Sequence, residues 1–168
     1  MSSADSLAAV TVRAIRATDL GHMREFVQHL SRHSAYLRLL SPRTPTEDEM
    51  RHSTDVDGEH EFALVAMVVE GDGERQVGVA RYVKEPEGGA AEFAIVLADD
   101  WQGRGLGREL LTQLVDAAAR HGVRRLFGVT LSENRAMVAL ARKLGFRTRR
   151  SPESAMLMVV ERELDPDM

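Results

Sequence analysis

Gln102-Gly103-Arg104-Gly105-Leu106-Gly107 separates a strand-like run, Ala91–Leu97 (AEFAIVL), from a run in which Leu106, Leu110, Leu111, Leu114, Val115 and Ala118 recur at helical spacing. Three glycines in five positions let the backbone adopt left-handed dihedrals and let successive N–H groups point into one concavity. The helix that follows adds the unpaired amides of its first turn and the positive end of its dipole. Such an arrangement holds phosphate. Two common phosphate loops fail on spacing. A G-x-G-x-x-G fingerprint counted from Gly103 needs a glycine where Arg108 stands. A Walker-type loop needs Gly-Lys-Ser/Thr, which the chain lacks.

Reading outward from the loop gives the order of elements. Val10–Ile15 alternates as a strand. Thr18 or Asp19 can cap a helix to about Arg32, with Leu20, Met23, Phe26, Val27 and Leu30 on its apolar face. Tyr36–Leu40 suggests a short second helix, and Thr46-Glu-Asp-Glu49 has the form of a capping box opening another. Glu61–Glu70 and Gln76–Lys84 read as strands joined by a turn at Gly71-Asp72-Gly73. The strand Ala91–Leu97 is apolar apart from Glu92 and is expected to be buried. After the loop come a helix to His121 stopped by Gly122, a strand Leu126–Leu131, a helix Asn134–Leu144 ended by Gly145, and a strand Met156–Glu163. Strands in meander followed by helix, strand, helix, strand predict an α/β (α+β) fold with a mixed, mostly antiparallel central sheet flanked by helices. The expected organisation is a tail over 1–9 and one domain over 10–168.

Composition narrows the function. The 168 residues contain 43% hydrophobic and 29% charged side chains, ordinary for a globular domain. A net charge of −4 argues against nucleic acid or an anionic membrane as partner. No apolar run is long enough to span a bilayer and Met1–Val10 has no signal-peptide pattern, so a cytoplasmic location is expected. With no cysteine, disulfides, thiolate metal sites and a cysteine nucleophile are excluded. Glu25, His29 and His33 share a helix face at metal-compatible spacing but lack a fourth ligand, and we expect no metal.

The Q-x-x-G-x-G pattern of Gln102–Gly107 resembles the pyrophosphate loop of the GNAT N-acetyltransferases. Around it stand an apolar strand carrying Glu92, an amphipathic helix, a further strand, Asn134, and Lys143-Leu-Gly-Phe146, in the order of the GNAT core from about Ala90 to Phe146. Ser34–Pro42, Asp57–Ala66, Val77–Arg81 and Asp99–Gly107 are also similar to Pat-type protein lysine acetyltransferases, so the likeness spans most of Ser34–Phe146.

The resemblance implies a GNAT fold, acetyl-CoA as cosubstrate, and direct acetyl transfer to a lysine ε-amine of a protein, with acyl-CoA synthetases as targets. A small amine is the alternative acceptor, and a non-catalytic acyl-CoA-binding module the alternative class. On its residues alone Glu92 reads as a strand carboxylate facing water or as a base; the resemblance makes it the general base. It places the pantetheine arm along the backbone of Ile95, Val96 and Leu97, and the pyrophosphate on Gln102, Gly103, Arg104, Gly105, Leu106, Gly107 and Arg108. Asn134 would hold the arm from the other side, and Lys143 or Arg142 would meet an outer phosphate. Many members carry a tyrosine acid seven residues after the Asn. Here Ala141 stands there, so the acid is unassigned, with Tyr36 and Tyr82 as outside candidates. Arg147–Arg150 reads as a solvated strand edge, with contact to the nucleotide's 3′-phosphate as the alternative. Asp55, Asp57, Glu59 and Glu61 read as a solvated loop, with attraction of a basic substrate as the alternative.

Overall fold

The computed structural model describes residues 9–31, 45–87 and 89–165. Its elements are β1 (Val10–Ala14), α1 (Leu20–Gln28), α2 (Glu47–Thr54), β2 (Glu61–Glu70), β3 (Gly73–Lys84), β4 (Ala90–Leu97), α3 (Leu106–Arg120), β5 (Arg125–Leu131), α4 (Arg135–Lys143), β6 (Arg147–Arg150) and β7 (Leu157–Glu163). They build one seven-stranded sheet in the order β1-β2-β3-β4-β5-β7-β6. The expected α/β class and mostly antiparallel sheet are therefore found. The helix expected over Tyr36–Leu40 lies outside the described residues. The first helix ends at Gln28, short of the expected end near Arg32, with His29 as its C-cap. The basic run Arg147–Arg150 is β6, the edge strand beyond β7.

Local signals set most element ends. Thr46 Oγ1 accepts from the Glu49 N–H while Glu49 Oε1 accepts from the Thr46 N–H, both at 3.1 Å, so α2 begins with a complete capping box. Gly71 and Gly122 take positive φ where the hairpin turns and where α3 stops. β3 carries one extra residue, Val77, against the Ala66/Met67 step of β2, a bulge that raises the local twist.

Helix α3 is the main buried element on its face of the sheet. Leu106, Leu110, Leu111 and Leu114 have no exposed surface. Each such leucine contributes about 1.5–3 kcal/mol by leaving water. At Gly78 a Cβ would stand 3.0 Å from Leu110 Cδ1, so α3 lies close on β3. On the opposite face, Met23 and Phe26 of α1 are buried, and Met23 Sδ accepts from Gln76 Nε2. At the start of α1, Asp19 is only 2% exposed and accepts two hydrogen bonds from Arg13, at 2.8 and 2.7 Å, and one from the Arg16 N–H. These bonds to Arg13 first of all hold its carboxyl down to about 2.

The sheet has one parallel pair, β4 with β5, connected through α3 as a parallel crossover requires. That pairing covers three rungs: Ala90–Arg125, Ala91–Leu126 and Glu92–Phe127. Beyond Glu92 the strands part. β4 continues to Leu97 paired with β3, and β5 continues to Leu131 paired with β7.

Candidate functional site

The parting of β4 and β5 leaves a wedge-shaped gap in the sheet, and the loop of glycines lies beyond its open end. From Phe93 to Leu97 the β4 edge turned to the gap has no strand partner among the described residues. Its amides and carbonyls form a row that an extended chain can pair with. Within the gap is a slot of about 40 Å³, lined by Phe93, Ile95, Gly128, Thr130, Asn134 and Met137 among others. Larger cavities of about 510 and 340 Å³ lie elsewhere, beside the far half of α3 and between α1 and β3.

The loop has the geometry its sequence requires. Gly103 and Gly105 take φ of 76° and 89°, in the left-handed region. Gly105 is the residue before α3, and its carbonyl accepts the Glu109 N–H at 3.2 Å. The amides of Leu106, Gly107 and Arg108 thus have no acceptor within the helix. Arg104 and Arg108 beside them are exposed, whereas Leu106 is fully buried. Among the described residues, a Cβ built on Gly103 would meet nothing within 4 Å. A pyrophosphate fits this cradle of amides, helix dipole and two guanidinium groups. Arg104 is held with its guanidinium 4.7 Å over the Trp101 ring. Gln102 Nε2 donates to the Leu97 carbonyl at 3.3 Å, tying the loop to the end of β4.

Glu92 stands on the last rung before the strands part. The expectation of a buried strand is corrected here: β4 alternates, with Ala91, Phe93 and Val96 buried and Glu92 and Ala94 exposed. The α3 side is covered, whereas the other side near Glu92 is open, so period-two alternation puts the Glu92 side chain on the open face. Its neighbours across the rungs are Val83 of β3, 42% exposed, and Phe127 of β5, over which the Arg125 guanidinium lies at 4.7 Å. Among the described residues Glu92 forms no ion pair. Its carboxyl is raised above the ordinary carboxylate range, first by loss of surrounding water and then by repulsion from Glu85. The exposure of the side chain limits that rise.

Other expected residues fall in different places. Asn134 lines the slot, but its Oδ1 caps α4 by accepting the Met137 N–H at 3.2 Å, which leaves the Nδ2 group as its donor toward the gap. Leu140 approaches Gly107, so α4 runs beside the loop. Lys143 is exposed in the last turn of α4, and Leu144 after it lies by Thr112 and Asp116 of α3. Arg142 donates to Thr148 Oγ1 at 3.2 and 3.0 Å. Ala141 is fully buried. Tyr82 is fully buried on the α3 side and its hydroxyl hydrogen-bonds His121 Nδ1 at 2.5 Å; burial above all drives its pKa well up. It sits on the sheet face opposite to Glu92. Tyr36 lies outside the described residues. Asp57 is a turn former: Oδ1 accepts the amides of Glu59, His60 and Glu61, so that part of the acidic stretch organises its own backbone. His29 Nδ1 is 2.7 Å from the Glu25 carbonyl at the end of α1, and His33 lies outside the described residues.

Sequence reasoning missed Val83, Phe127, Phe93 and Gly128. Only Gly128 carried a signal, a glycine inside a strand pattern that marks a close backbone approach.

A family model described as an acetyltransferase (GNAT) domain matches residues 9–147. An acetyltransferase of Pseudomonas aeruginosa is 36% identical over 163 residues, covering 95% of this chain and 86% of the relative. The acetyltransferase Pat of Mycolicibacterium smegmatis is 34% identical over 116 residues, 68% of this chain but 34% of that protein. Among solved structures, the GNAT domain of S. lividans PAT superposes with a TM-score of 0.81 at 25% identity, covering 92% of this chain and 90% of that one.

Proposed function

The chain belongs to the GNAT acetyltransferases, with acetyl-CoA as cosubstrate, and on that premise we propose that it acetylates the ε-amine of a lysine on a protein, with Glu92 as general base. One observation carries this reading: Glu92 occupies the rung at which the gap begins, on the open face, between the apolar surfaces of Val83 and Phe127. A lysine stem can lie over those two side chains and bring its nitrogen to the carboxylate.

The chemistry follows from pKa values. A lysine amine has a reference pKa near 10.4, so about one in two thousand is neutral at pH 7. Glu92 takes the ammonium proton directly or through one water, and its raised pKa makes it a stronger base than an ordinary glutamate. The loop amides and Arg104 and Arg108 hold the pyrophosphate, and the β4 edge at Ile95, Val96 and Leu97, without a strand partner on the gap side among the described residues, orients the arm. Gln102, by fixing Leu97, positions that edge. An edge amide polarises the thioester carbonyl. Acetyl-CoA supplies the activated acyl group and a thiolate that leaves readily. We assign no protein acid to that thiolate, since Ala141 carries no proton and Tyr82 is engaged on the far side of the sheet.

The protein-lysine acceptor draws on the similarity to Pat and to the PAT domain, and on the apolar groove for a lysine stem. We place the enzyme in the cytoplasm with an acyl-CoA synthetase as its target. A second reading, a small amine, is favoured by a Pseudomonas aeruginosa L-methionine sulfoximine/L-methionine sulfone acetyltransferase, 36% identical over 58 residues, 34% of each chain.

The test is transfer by Glu92→Gln with calorimetric binding of CoA in parallel. Lost turnover with kept binding is expected; unchanged turnover removes Glu92 from this role. A panel of free amines against an acyl-CoA synthetase decides the acceptor.

A further inference from the structure

We propose that Phe93 is the specificity residue that limits the acyl chain this enzyme accepts to acetyl. The proposal rests on the reading above, in which the pantetheine arm follows the β4 edge toward Glu92.

Phe93 and Gly128 are the first residues past the last shared rung of β4 and β5, one on each strand. The Phe93 ring fills the vertex between them. A Cβ built on Gly128 would stand 2.8, 3.0 and 3.2 Å from Cε1, Cζ and Cδ1 of that ring, so one edge of the ring lies directly on the Gly128 backbone. Glycine is what permits the contact. Behind the ring stands Phe146, centroid to centroid 5.4 Å, tilted by 56°. Across from Gly128 on β7 is the buried Val160. Phe93 itself is 5% exposed. The ring is thus clamped between a strand backbone and a second ring, and interiors packed this way resist displacement.

A thioester that reaches the Glu92 rung must present its acyl group to the closed end of the slot. The Phe93 ring is the wall there, and the slot is small beside the molecule's other cavities. A longer acyl chain has to move the ring against Phe146 or withdraw the thioester from Glu92. One or two extra methylenes against a fixed apolar wall typically change selection by about 10–200-fold. The geometry makes the limit a property of one side chain rather than of the slot's polar lining.

The experiment titrates free CoA, acetyl-CoA, propionyl-CoA and butyryl-CoA calorimetrically into the wild type, Phe93→Leu and Phe93→Ala, and measures kcat/KM for each acyl donor. The wild type is expected to lose at least about 10-fold in affinity and in kcat/KM from acetyl to butyryl. The variants should bring the two within a few-fold, with free CoA affinity unchanged. An unchanged chain-length ratio in variants that bind free CoA normally overturns the proposal. So does a wild type that takes butyryl as well as acetyl, and so does equal loss of all four ligands in the variants, which would make the ring a support of the whole slot. Phe93→Leu decides the matter should Phe93→Ala fail to fold. If the wild type does not bind free CoA, it is the underlying reading of the loop that fails.

Discussion

Asp19 and Glu92 are carboxylates set in opposite ways. Asp19 is buried and yet strongly acidic, because Arg13 and the Arg16 amide surround it with donors. Glu92 is exposed and yet a weaker acid than usual, because flanking strands displace water from it and Glu85 repels its charge. Depth alone does not decide which carboxylate is reactive. Partners do: a paired carboxylate fixes a chain turn, whereas one without a cation retains its basicity.

The largest test of this contrast is activity. Glu92→Gln should lower kcat by about 10²–10⁴-fold, the usual contribution of a general base, while Asp19→Asn should leave the specific activity of the folded protein near that of the wild type. Steady-state kinetics on folded protein reads both; equal losses would break the contrast. The next test is stability, where the order reverses. Asp19→Asn leaves Arg13 without its counter-charge and should cost about 3 kcal/mol, lowering Tm by roughly 6–12 °C in a chain of this size. Glu92→Gln removes a charge that the fold disfavours and should leave Tm unchanged or slightly raised. Thermal melts decide this.

A third, smaller effect is pH dependence. The Asp19 pKa is lowered on folding, so its contribution to stability is complete above its ordinary value near 3.8 and is lost as pH falls through about 2. The Glu92 pKa is raised on folding, so its ionisation works against stability above the carboxylate range. The acid limb of kcat/KM should accordingly lie above the ordinary glutamate value near 4.3. The smallest effect expected is that of Glu85→Gln. It removes the lesser of the two causes, so the acid limb should move down while staying above the ordinary value. A pH–rate profile in which Glu85→Gln leaves the limb in place would assign the whole rise to loss of water.

Much of the architecture was legible in the residues. The loop glycines, the Thr46 capping box and the Gly71 turn are each decided within a few positions, by dihedrals that glycine permits or by side chains that reach a neighbouring amide. The candidate site was legible in part. Its glycine turn and the strand carrying Glu92 lie where the residues put them, but β4 was read as buried because an apolar run does not reveal which of its faces a helix covers. Val83 and Phe127 gave no signal, being ordinary strand residues that come beside Glu92 only through the rungs they share with it.

By itself the sequence determined that a left-handed turn precedes a helix at residue 105, and that a lone carboxylate lies on the strand before it. Both are local, fixed by backbone sterics and residue spacing. The tertiary structure decided where β4 and β5 separate, which face Glu92 occupies and which ring closes the gap. Those depend on register between segments distant in the chain, and register is settled by packing against α3, α4 and β7 rather than by any single strand's own residues.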